Sequence, residues 1–406
     1  MKILHTSDWH LGRTLYGRRR YEEFESFLDW LTRIMMDEAV DILLVAGDVF
    51  DSGTPSNRAQ ELYYGFLSRA SSCCRHVVII AGNHDSPSFL EAPRNLLKSL
   101  HVHVLGRASS PEDEVVVLSG DGGPELIVCA VPYLRDRDVR FSDEGESVEE
   151  KDRRLVDGIR DHYASVLALA EARRGELGPH VPVVVMGHLF TAGGRTIDGD
   201  GVRELYVGSL AHVSAGIFPD NLDYLALGHL HVPQRVGGSE IMRYSGSPIP
   251  MGFGEAGQEK SVCLVEFDGR CPSIRLCPVP SFQKLCRIRG DWETIAERIA
   301  ELSMGGDSPW LEVIYEGDLL VDDLRERVDA AVDGTGVEVL RVTDRRCVRM
   351  AMERLEDDEV LAELTTSDVF ERCLDAHDVP EEQRSELLRS YGEILSSLQD
   401  DDVRAE

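Results

Sequence analysis

Positive charge is scarce in this chain. Basic residues number 43 against 73 acidic ones, a formal net charge of −30, and only five of the bases are lysine (Lys2, Lys98, Lys151, Lys260 and Lys284). That balance excludes a protein that wraps nucleic acid by electrostatics alone, but not an enzyme that meets phosphate through bound cations. No apolar run approaches the ~18 residues needed to cross a bilayer. The opening MKILHTSDWH turns polar within a few residues, so neither a membrane span nor a secretory leader is expected. The nine cysteines include no C-x-x-C pair, which predicts reduced thiols in a cytoplasmic protein. No G-x-x-x-x-G-K-[S/T] loop is present, so any ATP dependence has to come from a partner.

What is present reads as globular: 42% of the 406 residues are apolar and 29% charged. Up to about residue 270, short apolar runs (KILHTS, DILLVA, VVIIA, LIVCAV, VVVM, YLAL) alternate with amphipathic stretches such as Phe24, Phe27, Leu28, Leu31 and Met35. Strands alternating with helices predict an α/β fold. The pattern breaks at PVPSFQ (278–283), and residues 284–342 read as a small βαβαβ module. The expected division is therefore a core at 1–277, an accessory domain at 278–345 and an acidic helical segment at 346–406. Residues 351–406 carry 18 acids against 5 bases. Within them Leu387, Leu388, Tyr391, Ile394, Leu395 and Leu398 form one apolar stripe, with Phe370 on a shorter helix before it. These faces predict either packing onto their own domain or a partner protein.

Five clusters carry the chemistry: Asp8-x-His10, Gly47-Asp48, Gly82-Asn83-His84-Asp85, Gly187-His188 and Gly228-His229-x-His231. Each follows an apolar run, and ligand sites in α/β proteins lie at the carboxyl ends of strands. On an extended strand residues i and i+2 point the same way, so Asp8 with His10, and His229 with His231, are each expected to reach one small site. The adjacent glycines are expected to permit the tight turns that aim these side chains. Carboxylate, amide and imidazole donors without thiolate favour Mn²⁺, Fe²⁺ or a mixed pair over structural zinc. Seven candidate ligands exceed the needs of one four-coordinate ion, which predicts two metals.

In this order, D-x-H, GD, GNHD, GH and GHxH resemble the calcineurin-like metallophosphoesterase superfamily. HTSDWHLG, VAGDVFD, AGNHDS, VPYLRDRD and LGHLHVPQ are similar to its bacterial SbcD nuclease family. The resemblance implies a core of two packed sheets flanked by helices, a small α/β capping domain and C-terminal helices that bind an SbcC-type ATPase. It implies that Asp8, His10, Asp48 and His231 hold one divalent ion, most simply Mn²⁺, and that Asp48, Asn83, His188 and His229 hold the other. His84 would act on the scissile phosphate or protonate the leaving oxygen, and Asp85 would orient it. Where archaeal and eukaryotic relatives carry a second histidine, this chain has Asp51.

The implied activity is a metal-dependent DNA nuclease, a 3′→5′ exonuclease on duplex ends and an endonuclease on hairpins or single strands. It would serve repair and recombination as a homodimer within a heterotetramer at the nucleoid. A small-substrate phosphodiesterase or phosphatase on the same core, or a scaffold without catalysis, are the alternatives. Weaker signals are Arg18, Arg19 and Arg20, which could grip a DNA backbone or pair with Glu22 and Glu23, and Tyr16 and Phe253, which could stack on a base or simply pack. Ser245-Gly246-Ser247 reads as a turn shaping the site.

Overall fold

The computed structural model describes residues 1–120, 122–139, 147–191, 215–218, 221–317 and 323–345, together with 370, 374, 384 and 387–391. The chain divides into two compact units, Met1–Phe282 and Gln283–Glu406. Val279 is buried in the first unit and Phe282 packs on the apolar layer beneath it.

The first unit is built on two six-stranded sheets. One runs, in spatial order, β14 (Cys271–Pro278), β13 (Ser261–Asp268), β1 (Lys2–Thr6), β4 (Ile42–Ala46), β5 (His76–Ile80) and β6 (Val102–Leu105). The other runs β11 (Gln234–Arg235), β12 (Met242–Tyr244), β10 (Tyr224–Gly228), β9 (Val183–His188), β8 (Gly123–Ala130) and β7 (Val115–Gly120). Strands β1, β4, β5 and β6 are mutually parallel, as are β8, β9, β10 and β12. In each sheet the outermost pairings are antiparallel on at least one side, β13 with β14 and β7 with β8.

Strand alternation sorts the side chains into layers. Ile3, Ile42, Leu44, Val78 and Ile80 of the first sheet meet Val128, Val184, Met186, Tyr224 and Ala226 of the second in one core between the sheets. Their neighbours Leu4, Leu43, Val45, Val77 and Ile79 face the opposite way, onto helices Tyr21–Asp37 and Asn57–Cys73. Those helices answer with Phe24, Phe27, Leu28, Leu31, Tyr63 and Phe66. The outer face of the second sheet is covered by the 30-residue helix Val148–Leu177. Charged residues dominate that helix, and its buried face is Leu155, Ile159, Tyr163, Val166, Leu167 and Ala170. The result is helix, sheet, sheet, helix, with each fully buried large apolar side chain contributing roughly 1.5–3 kcal/mol. All parallel strands of both sheets deliver their carboxyl ends to one edge of this sandwich.

The second unit contains β15 (Leu285–Gly290), helix Trp292–Met304, β16 (Trp310–Tyr315), helix Leu324–Val332 and β17 (Glu338–Asp344). Its three strands are parallel in the order β15, β16, β17. Asp291 caps the first helix through a bond from Thr294 N. Ile295, Ile299 and Val328 bury the helices against Leu311, Val313 and Tyr315. Phe370 and Tyr391 stack with ring centroids 4.0 Å apart, so the expected apolar stripe and the shorter helix before it meet through these two residues. Ile394, Leu395 and Leu398 lie outside the described residues.

His5 sits fully buried on the inner face of β1, with Nδ1 3.0 Å from the Tyr224 hydroxyl and Nε2 3.2 Å from the Leu227 carbonyl. Burial pushes its pKa down to about 3, so the folded state holds it neutral while the unfolded chain takes up a proton below about pH 6.5. Its contribution to stability is present above that pH and is lost as pH falls, at about 1.4 kcal/mol per pH unit. Between pH 6.5 and 5.0 the wild type should therefore lose roughly 2 kcal/mol more than His5→Asn in urea unfolding. Equal losses would mean that His5 is protonated in the fold.

Candidate metal centre

The site is made by loops that leave the strands in a left-handed backbone conformation. Asp8, His10, Asp48 and His229 all have positive φ (54°, 47°, 51° and 102°), a region uncommon for residues other than glycine and one that clusters at functional sites. The expected i, i+2 alternation therefore does not aim them; the residues lie beyond the strand ends, and the loop turns do. Trp9 explains the first turn. Its indole is fully buried, donates to Thr6 Oγ1 (3.0 Å) and packs edge-on against Phe27 and Phe66. Anchoring Trp9 in the helical layer leaves Asp8 and His10 to face the site. The loops after β1 and β4 are then zipped by Asp8 N to Gly47 O, His10 N to Asp48 O and Leu11 N to Val49 O, at 2.9–3.0 Å.

Three donor groups converge: Asp8, His10 and His231; His10, Asp48 and His84; and Asp48, His188 and His229. His10 Nε2 and His231 Nε2 lie 3.1 Å apart. The Asp48 carboxylate stands 3.6 Å from His10 Nε2 on one side and 3.3 Å from His188 Nε2 on the other. Asn83 Oδ1 is 3.0 Å from both His188 Nε2 and His229 Nδ1. His188 Nδ1 donates to the Ala46 carbonyl (2.9 Å), which leaves Nε2 as the donor atom toward the centre.

Burial pushes the imidazoles of His10 and His229 down to about 3. Burial also opposes charge on Asp48 and His188, but their mutual attraction outweighs it, holding the carboxylate well below its usual range and lifting the imidazole to about 9. His10 Nδ1 is buried without a hydrogen bond. Oxygen and imidazole lone pairs crowding one dry volume fit divalent cations, which displace the protons. Asp48 is common to two of the groups and His10 to two, an arrangement suited to a pair of ions.

Asp85 and His84 are supported differently from expectation. Asp85 does not orient His84. Its carboxylate accepts from Val49 N, Phe50 N and Gly82 N (2.9–3.1 Å), locking the Gly-Asp loop to the Gly-Asn-His-Asp loop. His84 Nδ1 is instead held by the Asp51 backbone carbonyl at 3.0 Å, a contact that needs no particular side chain at 51. The Asp51 carboxylate lies 3.5 Å from His10 Nδ1 and 3.2 Å from Arg13.

The glycines serve mainly close approach. Only Gly47 of the motif glycines has positive φ (87°). A Cβ on Gly228 would lie 1.9 Å from the Ala46 carbonyl, and one on Gly82 2.1 Å from the Asp48 carboxylate. The Ser245 turn shapes the site as expected, and Ser7, Glu255 and Lys260, not singled out in the sequence, also enter. Ser245 bonds Ser7, which donates to Asp8, and Glu255 and Lys260 stand behind His231.

Arg20 is removed from any surface role: it is 2% exposed and ion-paired with Glu23. Arg18 and Arg19 are exposed on the small hairpin of β2 (Thr14–Leu15) and β3 (Arg18–Arg19). Phe253 is buried under Tyr16, with the rings stacked at 5.8 Å.

The family model described as calcineurin-like phosphoesterase matches residues 1–233. The chain belongs to that family. A second model, described as the type 5 capsule protein repressor C-terminal domain, matches residues 281–378. Among curated proteins, this phosphoesterase is 36% identical over 401 residues to the SbcD component of the nuclease SbcCD of Escherichia coli K12, covering 98% of each chain. It is 34% identical to the Rhodobacter capsulatus protein of that name, over 85% of this chain and 88% of the other. With the Bacillus subtilis protein it shares 37% over 66% of each. The phosphoesterase therefore falls within the SbcD group. No helix among its described residues is long and apolar enough to cross a membrane.

Removing the Asp85 carboxylate strands three buried N–H donors. Asp85→Ala should lower stability by at least about 2 kcal/mol and weaken divalent-metal binding with it, read by urea unfolding and metal titration. A variant of normal stability with only a slower reaction would return Asp85 to an orienting role on His84.

Proposed function

We propose that this phosphoesterase is a two-metal DNA nuclease that works with an SbcC-type ATPase in repair and recombination. It would degrade duplex ends 3′→5′ and cut hairpins or single strands. The observation that carries the reading is the convergence of the donor groups on Asp48, which lies between His10 and His188, with the half-buried His84 beside them. The names of the relatives, each the SbcD component of an SbcCD nuclease, supply the substrate class and the partner.

In this reading Asp8, His10, Asp48 and His231 hold one ion and Asp48, Asn83, His188 and His229 the other. Manganese suits a set of carboxylate, amide and imidazole donors. Bound there, two divalent ions would neutralise phosphate charge and activate water near neutral pH. The protein's own contribution is positional. His84 is half-buried and tethered through Nδ1–H to the Asp51 carbonyl, which leaves Nε2 for the substrate. From there the imidazolium can bond a phosphate oxygen or pass its Nε2 proton to the departing sugar oxygen. Arg18 and Arg19, exposed beside the Asp8–His10 loop, would hold the backbone of the DNA in register.

The capping domain at 278–345 would shape the DNA path. The acidic segment at 346–406 would dock the ATPase through Phe370, Leu387, Leu388, Tyr391, Ile394, Leu395 and Leu398. The stack of Phe370 on Tyr391 supports two helical pieces held as one unit. A homodimer joined to two ATPase chains in the cytoplasm, at the nucleoid, completes the proposal.

On end-labelled linear duplex DNA with Mn²⁺, the wild type should release nucleotides, and chelation should abolish this. His84→Ala should lower the rate about 10²–10⁴-fold while binding as much metal as the wild type. Adding the ATPase should make cleavage ATP-dependent. A wild type that leaves DNA intact in every condition but hydrolyses a small phosphodiester would overturn the nuclease reading.

A further inference from the structure

One turn of chain, Ser245-Gly246-Ser247, supports two of the three side chains grouped as Asp8, His10 and His231. Ser245 Oγ lies 2.7 Å from Ser7 Oγ, which donates to Asp8 Oδ2. Ser247 Oγ reaches Glu255 Oε2 (3.3 Å) and Lys260 Nζ (3.0 Å). Glu255 Oε1 in turn accepts from His231 Nδ1 at 3.3 Å. Glu255 is fully buried and ion-paired with Lys260, which is 4% exposed. Lys260 Nζ also donates to the His231 backbone carbonyl at 3.0 Å, and Ser247 N to the same carbonyl at 3.2 Å. Gly246 has φ 75°, and a Cβ there would meet that carbonyl at 2.7 Å. His231 is thus held at its ring by Glu255 and at its backbone carbonyl by Lys260 and Ser247, three residues bonded to one another. The corresponding histidine of the other group, His188, is backed by a neutral backbone carbonyl, Ala46 O.

We propose that Glu255, fixed by Lys260 and Ser247, is a positioning residue that keeps His231 as the Nδ1–H tautomer, with Nε2 bare toward the centre. It thereby sets the affinity of one of the two cation positions and not the other. This rests on the two-cation reading above. A carboxylate accepting from a ligating imidazole fixes its tautomer and raises its basicity, and such partners are worth about 10–100-fold in metal affinity. A lone Glu255 substitution would leave the Lys260 ammonium buried without its partner, so the charges should be removed together.

The test titrates metal-free full-length protein with Mn²⁺, following free Mn²⁺ by electron paramagnetic resonance, for the wild type, E255Q/K260M and E255M/K260M. The first double variant keeps a neutral acceptor at position 255 and the second removes the acceptor there. The wild type should bind two ions. One of them should weaken about 10-fold in the first variant and about 100-fold in the second, while the other stays within about twofold. Ring ¹⁵N shifts of His231 in the metal-free protein should show bare Nε2 in the wild type and a tautomer mixture in E255M/K260M. A wild type binding fewer than two ions would overturn the two-cation reading and this inference with it. Two ions bound at wild-type affinity in both variants, or both positions weakening equally, would overturn this inference alone.

Discussion

Asp48 is a carboxylate with 2% of its surface exposed, set between His10 and His188. Taking such an ion out of water costs several kcal/mol unless charge and hydrogen bonds replace the lost hydration. The surrounding architecture supplies them. His84 N donates to Asp48 Oδ1 at 2.9 Å, and the glycines at 82 and 228 let neighbouring loops come within reach where a Cβ would collide. Two sheets are needed because the donors come from both: Asp8, His10, Asp48 and Asn83 follow strands of the first, while His188 ends β9 and His229 and His231 follow β10 of the second. The apolar layer between the sheets fixes the distance across which they meet.

The same constraint explains what could be read from the sequence. Which residues converge was legible because each motif follows an apolar run, and a run of DILLVA or VVIIA ending in Gly-Asp or Gly-Asn-His-Asp serves poorly as a plain loop. The βαβαβ module was legible because its strands and helices are short, local and regularly spaced. How the donors are aimed was not. Alternation along a strand predicts faces, whereas Asp8, His10, Asp48 and His229 owe their directions to left-handed backbone forced by long-range contacts, Trp9 in the helical layer among them.

Partners distant in sequence escaped for a related reason. Glu255 is 24 residues from His231, and no local pattern distinguishes a buried Glu–Lys pair from a solvated one. Asp85 was misread because adjacency to His84 suggested contact, while the fold turns its carboxylate to the backbone of 49, 50 and 82. Arg20 shows the converse: three consecutive arginines look alike in a sequence, yet helix entry at Tyr21 buries the third against Glu23.

A chain of net charge −30 and a polyanionic substrate repel each other, and the two exposed hairpin arginines cannot offset that alone. Two divalent ions at the mouth of the site would change its local charge by +4, the largest local term available. Because exposed charges are screened within about 10 Å at 0.1 M salt, acid elsewhere on the chain is felt weakly at the site, while cations held by the buried donors would meet phosphate where attraction is least screened. On that reading, overall acidity and phosphodiester chemistry would be compatible only with the centre loaded. The metal-free protein should lose affinity for DNA as well as turnover, which separates this arrangement from one in which basic side chains bind the nucleic acid and the metals serve only the reaction.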